Sequence, residues 1–128
     1  MKNLFISGIT GKVGKLLSSY ALESNHFKLV GGSCSPDNNF FEKDVGTLLE
    51  IDETGIQISE KISEDLGVDI IIDFSSPKST MKILQHAKRE KIPILIGTTG
   101  FSEDDFKEIE VASTQIPILF APNTSSGI

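Results

Sequence analysis

Five short apolar runs constrain the fold of this chain more than any other feature. Each is almost continuous in Ile, Leu, Val and Phe and does not alternate with polar residues. Strands covered on both faces have this composition, as in a parallel sheet flanked by helices. The runs are residues 3–8 (NLFISG), 27–32 (FKLVGG), 69–74 (DIIIDF), 92–97 (IPILIG) and 116–120 (IPILF), with a weaker strand candidate at 55–59 (GIQIS).

Helical patterns lie between these runs. An i, i+3, i+4, i+7, i+8 apolar spacing predicts the inner face of a first helix at Val13, Leu16, Leu17, Tyr20 and Ala21. We expect residues 34–54, which show no clean period, to form an irregular connection with at most one short helical turn.

Two further helices begin at capping signals. Ser76 is placed as an N-cap with proline at the first helical position, and Ser102 is followed by three acidic residues that favour a helix N-terminus. Their predicted inner residues are Thr80, Ile83, Leu84 and Ala87 in the second helix and Phe106 and Ile109 in the third. Strand and helix therefore alternate, which predicts an α/β fold: a Rossmann-like doubly wound parallel sheet with helices on both faces and right-handed crossovers.

Bulk properties narrow the class of protein. The 128 residues suffice for one domain, and a formal net charge of −6 argues against a broad nucleic-acid surface. The single cysteine permits no intramolecular disulfide, and no run is long enough for a signal peptide or membrane span. We therefore expect a cytoplasmic protein that binds neither membrane nor nucleic acid.

The two edges of the predicted sheet differ sharply in composition. The segments after the strands are small, hydroxylic or turn-forming: GITGKVG, SCSPD, FSSP, GTTG and APNTSSG. The segments at the opposite edge include ESNH, EDLG and REK. Ligands of such sheets bind outside the carboxyl ends of the strands, so the first edge is the predicted binding edge.

The loop after the first strand is the sharpest of these segments. Gly8, Gly11 and Gly14 form G-x-x-G-x-x-G between a strand and a helix, and Lys12 and Lys15 add positive charge. We expect Gly8 to make the turn, Gly11 to admit a pyrophosphate and Gly14 to allow close helix packing. The spacing differs by one residue from G-x-G-x-x-G, and a glycine-rich turn without a ligand is the alternative.

The segment after the second strand lacks the acid that commonly binds ribose hydroxyls. Cys34 and Ser35 occupy that place, and Asp37 comes later. Absence of a carboxylate there would remove repulsion against a 2′-phosphate, which favours NADPH or use of both cofactors. Alternatively, Cys34 is only a small buried residue, and nothing indicates a catalytic thiol.

Other polar residues are open to two interpretations. Asp73 is either a buried carboxylate that accepts backbone N–H groups or a residue that orients a loop. Thr98 and Thr99 either bind a ribose or a substrate carboxylate, or are plain turn residues. His26 and His86 are expected to be exposed to solvent. The sequence therefore predicts no general acid, no catalytic triad and no metal site.

Four of these segments together resemble one family. GITGKVG, DIIIDFSSP, LIGTTGF and APNTSSG follow the order and rough spacing of 4-hydroxy-tetrahydrodipicolinate (dihydrodipicolinate) reductases, NAD(P)H enzymes of diaminopimelate and lysine biosynthesis. The resemblance covers essentially the whole chain, and GTTGF together with APN is more specific than the glycine loop.

The resemblance implies a cofactor site of NADPH or NADH along the binding edge. Thr99 would also lie near the substrate, a cyclic unsaturated dicarboxylate. Thr124 stands where the family often has Phe, and Cys34 and Ser35 stand where it often has an acid followed by Arg. The implied cofactor-binding residues are Gly8, Ile9, Thr10, Gly11, Lys12, Val13, Gly14, Cys34, Ser35, Gly97, Thr98, Thr99, Ala121, Pro122, Asn123 and Thr124.

The resemblance also implies a division of labour. Residues 1–128 would form the dinucleotide-binding domain, and the histidine- and lysine-bearing domain that binds substrate and builds a homotetramer would be absent. We therefore expect this chain alone to bind cofactor without catalysis, as a monomer or weak dimer. Alternatives are another Rossmann oxidoreductase, such as a homoserine- or aspartate-dehydrogenase-like protein, and a nucleotide- or CoA-binding module without chemistry.

Overall fold

The computed structural model describes residues 1–121 and contains one six-stranded sheet in the order β3-β2-β1-β4-β5-β6. All five neighbouring strand pairs are parallel. The strands are β1 (Lys2–Ser7), β2 (Phe27–Ser33), β3 (Ile58–Ser59), β4 (Ile70–Asp73), β5 (Ile94–Ile96) and β6 (Ile118–Phe120). The predicted strands, including the weak candidate that became β3, are confirmed, and the strand order is that of a doubly wound nucleotide-binding sheet.

Helices cover both faces of this sheet. They are α1 (Lys12–Glu23), α2 (Val45–Leu49), α3 (Pro77–Glu90) and α4 (Glu103–Ala112). The short α2 lies within residues 34–54, the connection predicted to be irregular with at most one short helical turn. Buried residues of α1 and α2 share one apolar cluster with Leu4 and Ile6, whereas those of α3 and α4 share another with Phe5. Successive residues of β1 thus face opposite layers, as a two-sided sheet requires.

The predicted inner face of α1 is wrong at three positions. Val13, Leu16 and Tyr20 are exposed, the last two at 72% and 66%. The residues that α1 buries are small: Gly14, Ser18 and Ala21. A Cβ on Gly14 would lie 2.7 Å from the Cα of Ile9. The helix therefore packs so close to the preceding loop at Gly14 that a larger residue does not fit there, whereas Leu17 and Leu22 are partly buried against the core.

Two expectations about the other end of the sheet are also wrong. Phe106 does not face inward: it is 49% exposed and packs edge-on against Phe101, with ring centroids 5.6 Å apart. The strand β6 is not covered on both faces, since Leu119 and Phe120 are exposed. The physical reason is position, because β6 is the last strand at its edge of the sheet described here. The predicted inner residues of α3 are all buried.

Asp44 organises the connection between β2 and β3. Its carboxylate caps α2 by accepting the Gly46 amide at 2.7 Å, and it also accepts the Thr54 amide, the Thr54 hydroxyl and the Gly55 amide. The hydrogen bond from the Thr54 amide is the main cause that lowers the pKa of Asp44 from 3.8 to about 2, against an opposing contribution from partial burial. Four donors thus stabilise the ionised form.

We predict that Asp44 makes stability pH-dependent in acid. Because its pKa is lower in the folded state, its stabilising contribution is complete above about pH 4 and is lost as the pH falls toward 2. The Asp44→Asn variant should be less stable than the parent at pH 7, and urea denaturation should show this difference shrinking between pH 4 and pH 2. Thr54→Val, which removes one donor, should show a smaller difference at pH 7 that also shrinks. A difference independent of pH would contradict this role.

We predict that Gly14→Ala destabilises the protein despite the better helix propensity of alanine. Propensity alone favours Ala over Gly by about 1 kcal/mol inside a helix. The added Cβ would meet the Gly8 carbonyl oxygen and the Ile9 backbone at less than 3.0 Å, so overpacking should cost about 1–3 kcal/mol. Thermal denaturation should show a lower Tm, whereas Ser19→Ala on the exposed side of α1 should leave Tm unchanged or slightly higher. A raised Tm in Gly14→Ala would contradict the packing described.

Candidate functional site

The loops that follow the strands meet at one edge of the sheet, because all the strands run in the same direction. Backbone hydrogen bonds join each loop to the end of a neighbouring strand. They run from the amides of Gly8, Phe74, Gly97 and Ala121 to the carbonyls of Ser33, Ser7, Asp73 and Ile96, at 3.0, 3.0, 2.7 and 2.9 Å. The predicted binding edge is therefore a continuous surface of small-residue loops.

Gly8 turns the chain out of β1 in a conformation that only glycine adopts easily. Its φ is +81°, and a Cβ there would lie 2.7 Å from the carbonyl carbon of Phe74. The Gly11 amide donates to the Gly8 carbonyl at 3.2 Å and closes the turn before α1. Gly8 and Gly14 are thus required by contacts inside the protein, as the sequence predicted for each.

Gly11 differs from Gly8 and Gly14 because neither its backbone conformation nor its neighbours require glycine. Its φ is −76°, which any residue adopts, and the nearest atom to a Cβ there is the Gly8 carbonyl oxygen at 3.5 Å. Gly11 is also exposed. No contact among the described residues requires glycine at this position, and a side chain would project into the open space before α1.

Of the four α-helices in the described chain, α1 alone begins without a side chain that accepts one of its first amides. Asp44, Ser76 and Ser102 each accept an amide in the first turn of α2, α3 and α4. Gly11 offers no such group, and the first turn of α1 contains no acid. Lys12 and Lys15 are exposed there. Free amides, the positive end of the helix dipole and nearby cations are the features that favour anions at helix N-termini.

Phe74 joins the loops after β1, β4 and β5. Its carbonyl lies against Gly8, and its ring lies over Gly97, where a Cβ would come within 2.5 Å of the ring Cδ1 atom. Gly97 is therefore explained by packing. The three loops interlock at the point where strand order reverses between β1 and β4, the topological switch point of such sheets.

Thr98 and Thr99 have different surroundings. Thr98 is buried, its hydroxyl donates to Asp73 Oδ2 at 2.7 Å, and it accepts the Ser75 amide at 2.8 Å. Its only hydroxyl proton is therefore already used. Thr99 is exposed at the edge, where its side chain is accessible to a ligand. Asp73 is fully buried as predicted, but in the described chain its carboxylate accepts side-chain hydroxyls in place of the expected backbone N–H groups.

The residues after β2 form a small polar group. Burial, and secondarily the charge of Asp37, raise the pKa of the Cys34 thiol, so it stays protonated at neutral pH. Ser35 donates its hydroxyl to Asp37. The side-chain amide of Asn38 donates from Nδ2 to Thr10 Oγ1 at 3.3 Å and links this segment to the glycine loop.

The other predicted site residues lie in three places: the core, the edge of the sheet, and the part of the chain beyond residue 121. Ile9 is fully buried beneath the glycine loop, and Ala121 extends the pairing of β6 beside β5. Pro122, Asn123 and Thr124 lie outside the described residues. His26 is exposed in the turn before β2, and His86 is half-buried on α3, where Arg89 contacts it at 3.0 Å.

Sequence reasoning missed four residues that shape this edge: Phe74, Ser75, Thr80 and Asn38. The first two stand in the FSSP segment that was recognised, but their roles depend on long-range contacts. The spacing alone predicts Thr80 in the α3 core. A threonine on an apolar helix face needs a hydrogen-bond partner, and this need was the available signal that a buried acceptor lies nearby.

Other features of residues 1–121 do not compete with this edge. A surface hollow of about 450 Å³ lies at the opposite edge beside Met1, His26 and Asp69. No group of three or more His, Cys, Asp or Glu residues in the described chain is placed to hold a metal ion. None of the helices in this part of the protein has the length and apolar character needed to cross a bilayer.

Relatives and solved structures agree with this architecture. The chain is 36% identical over 123 residues to the 4-hydroxy-tetrahydrodipicolinate reductase of Colwellia psychrerythraea, which covers 96% of this chain and 46% of the relative. It is 35% identical over 127 residues to the enzyme of the same name from Buchnera aphidicola, covering 98% of this chain and 47% of the relative. The chain thus spans about half the length of the curated relatives it matches.

Two solved structures share the fold at low sequence identity, so their likeness bears on the fold alone. One is a dipicolinate-bound dihydrodipicolinate reductase from Paenisporosarcina sp. TG-14, with a TM-score of 0.71 at 17% identity over 99% of this chain and 49% of the other. The second is an aspartate semialdehyde dehydrogenase with NADP from Candida albicans, with a TM-score of 0.70 at 13% identity over 98% of this chain and 43% of the other.

The family described as dihydrodipicolinate reductase, N-terminus, matches residues 2–124. This match includes the segments GITGKVG, SCSPD, FSSP and GTTG in full and the first four residues of APNTSSG. The chain therefore belongs to the dihydrodipicolinate reductase family and corresponds to its N-terminal domain.

Proposed function

We propose that this chain binds NAD(P)H for a dihydrodipicolinate reductase of diaminopimelate and lysine biosynthesis. The observation that carries the proposal is the start of α1: an uncapped helix N-terminus with two lysines behind a glycine that no contact in the described chain requires. A pyrophosphate supplies the missing acceptor and occupies the space that a side chain at Gly11 would fill.

Each part of the edge has a place in this proposal. The amides of residues 12–14 and the Lys12 ammonium hold the pyrophosphate, with Ile9 and Thr10 shaping the loop. Gly97 and Thr99 line the nicotinamide ribose, and Thr99 also reaches the substrate. Ala121 and the following Pro122, Asn123 and Thr124 would lie beside the nicotinamide, and the last three are outside the described residues.

For the choice of cofactor, we propose a preference for NADPH or use of both forms. The first side chain after β2 is Cys34, which is neutral at pH 7 because burial raises the pKa of its thiol. The nearest acid along the chain is Asp37, which already accepts the Ser35 hydroxyl. A 2′-phosphate would therefore meet no carboxylate at the strand end, and the exposed Lys12 is available to attract it.

The chemistry of the edge is that of binding and orientation. When bound, the reduced nicotinamide supplies a hydride to a cyclic unsaturated dicarboxylate. The side chains of this edge hold and align groups, since Asp73 is buried among hydroxyl donors and the two histidines lie elsewhere. Substrate binding, proton transfer and assembly into a homotetramer are proposed to belong to a second domain, with residues 1–128 as the cofactor domain.

A second candidate is a nucleotide- or CoA-binding module without chemistry. It is favoured by one observation, the absence of an acid or base available to a substrate at the binding edge of residues 1–121. It predicts that CoA or ADP competes with NADPH without discrimination, whereas the reductase proposal predicts that the nicotinamide half adds affinity.

We predict that Gly11→Asp weakens cofactor binding without destabilising the fold. An aspartate suits the N-cap and the helix dipole, so stability should rise by a few tenths of a kcal/mol. The carboxylate would occupy the pyrophosphate's place and repel it, so affinity for NADH and NADPH should fall at least about tenfold. Calorimetry with both cofactors, paired with thermal denaturation, measures the two effects and also the cofactor preference.

Two results would contradict that prediction. One is a parent chain that binds neither cofactor at about 1 mM, which corresponds to roughly 4 kcal/mol. The other is unchanged affinity in Gly11→Asp. Ser19→Ala, on the exposed side of the same helix and away from its start, serves as the matched control for nonspecific loss.

We predict that the 128-residue chain shows no measurable reductase turnover. The reaction needs a proton donor and a dicarboxylate site, and the described edge offers neither. The oxidation of NADPH can be followed by the loss of its dihydronicotinamide absorbance. With the dicarboxylate substrate present, this signal should change no faster than background. The full-length Colwellia psychrerythraea reductase is the positive control, and turnover by this chain alone would contradict the division of labour proposed.

A further inference from the structure

Asp73 is a fully buried carboxylate at the end of β4. Its Oδ1 accepts the Ser75 hydroxyl at 2.6 Å, and its Oδ2 accepts the hydroxyls of Thr98, at 2.7 Å, and Thr80. The ion pairs found within residues 1–121 involve only Arg89. Three hydroxyl donors therefore replace the counter-ion that a buried carboxylate usually requires.

The hydrogen bonds around Asp73 have a fixed direction. A carboxylate only accepts, so Thr98 must give its single hydroxyl proton to Asp73. The Thr98 oxygen is then free to accept the Ser75 amide, which it does at 2.8 Å. The chain from Ser75 through Thr98 to Asp73 thus holds the loop after β4 against the loop after β5.

The Asp73 backbone reinforces this link. Its carbonyl accepts the Gly97 amide at 2.7 Å, so the same residue fixes both the start and the second residue of the GTTG segment. Phe74, the next residue, lies between Gly8 and Gly97. Thr80 bonds the carboxylate from α3, and its hydroxyl also lies 3.4 Å from the Ser75 hydroxyl.

We propose that Asp73 and Thr98 are positioning residues for the nicotinamide half of the site. They hold Gly97–Thr99 in the arrangement that exposes Thr99 and the adjacent backbone to the cofactor. This inference rests on the proposed cofactor function, and it adds a specific division: the Asp73 network controls the nicotinamide end, whereas the start of α1 controls the pyrophosphate.

The division is testable because Thr80 and Thr98 bond the same carboxylate oxygen. Thr98→Val and Thr80→Val are near-isosteric, and each removes one hydroxyl donor to Asp73. Only Thr98→Val also leaves the Ser75 amide without its acceptor. Both variants should lower Tm, but only Thr98→Val should alter the ligand-facing loops.

The experiment measures affinities of the 128-residue chain for NADH, NADPH and ADP by calorimetry. ADP shares the adenosine and pyrophosphate with NADH but lacks the nicotinamide and its ribose. Thr98→Val should bind the preferred nicotinamide cofactor about tenfold more weakly and ADP unchanged. Thr80→Val should bind all ligands as the parent does, and Thr98→Ser, which keeps the hydroxyl, should restore parental affinity.

The outcomes separate the two proposals. A parent chain that binds none of the ligands removes the proposed function and this inference with it. If the parent binds, the inference alone is overturned by unchanged cofactor affinity in Thr98→Val, by an equal loss of ADP affinity, or by an equal cofactor loss in Thr80→Val. A merely structural role for Asp73 predicts that last result.

Discussion

The binding edge depends on the packing of Phe74 between two glycines. Its carbonyl fills the space where Gly8 lacks a side chain, and its ring fills the corresponding space at Gly97. Since these residues follow β1, β4 and β5, one residue holds three loops together at the switch point of the sheet. Preorganisation of loops by packing lowers the entropic cost of binding a ligand.

The architecture was predictable from the sequence because it depends on short-range patterns. Continuous apolar runs identify strands buried on both faces, and Ser76 and Ser102 mark helix starts through local hydrogen bonds that the structure contains. Parallel strands then place their following loops at one edge by geometry alone. The binding edge could thus be predicted without knowledge of any contact between distant residues.

What the sequence could not show is how closely the elements approach. The α1 stripe was assigned to Leu16 and Tyr20 because large apolar residues usually face a core. The helix packs through Gly14, Ser18 and the predicted Ala21, with Leu17 partly buried against the same cluster, and Ser18 satisfies its hydroxyl within the helix by donating to the Gly14 carbonyl at 2.6 Å. Hydrophobic periodicity identifies the apolar face of a helix. Where a helix packs closely against backbone, however, small residues are required at the contact, whether they are polar or apolar. The Asp73 network escaped prediction similarly, because Thr98 is 25 residues away along the chain.

An acidic chain needs a local region of positive potential to bind an anionic cofactor, and the N-termini of its helices supply one. Right-handed crossovers bring the N-termini of α1, α3 and α4 to the same edge, so three positive dipole ends converge there. Ser76 caps α3, and Ser102 with Asp105 caps α4. Each cap satisfies one first-turn amide, and α4 also carries three acids in its first turn. Among the described α-helices, α1 alone has no side-chain cap, and Lys12 and Lys15 lie beside its start. An anion is thus directed to one helix by the caps on the others, which explains how a net charge of −6 is compatible with phosphate binding.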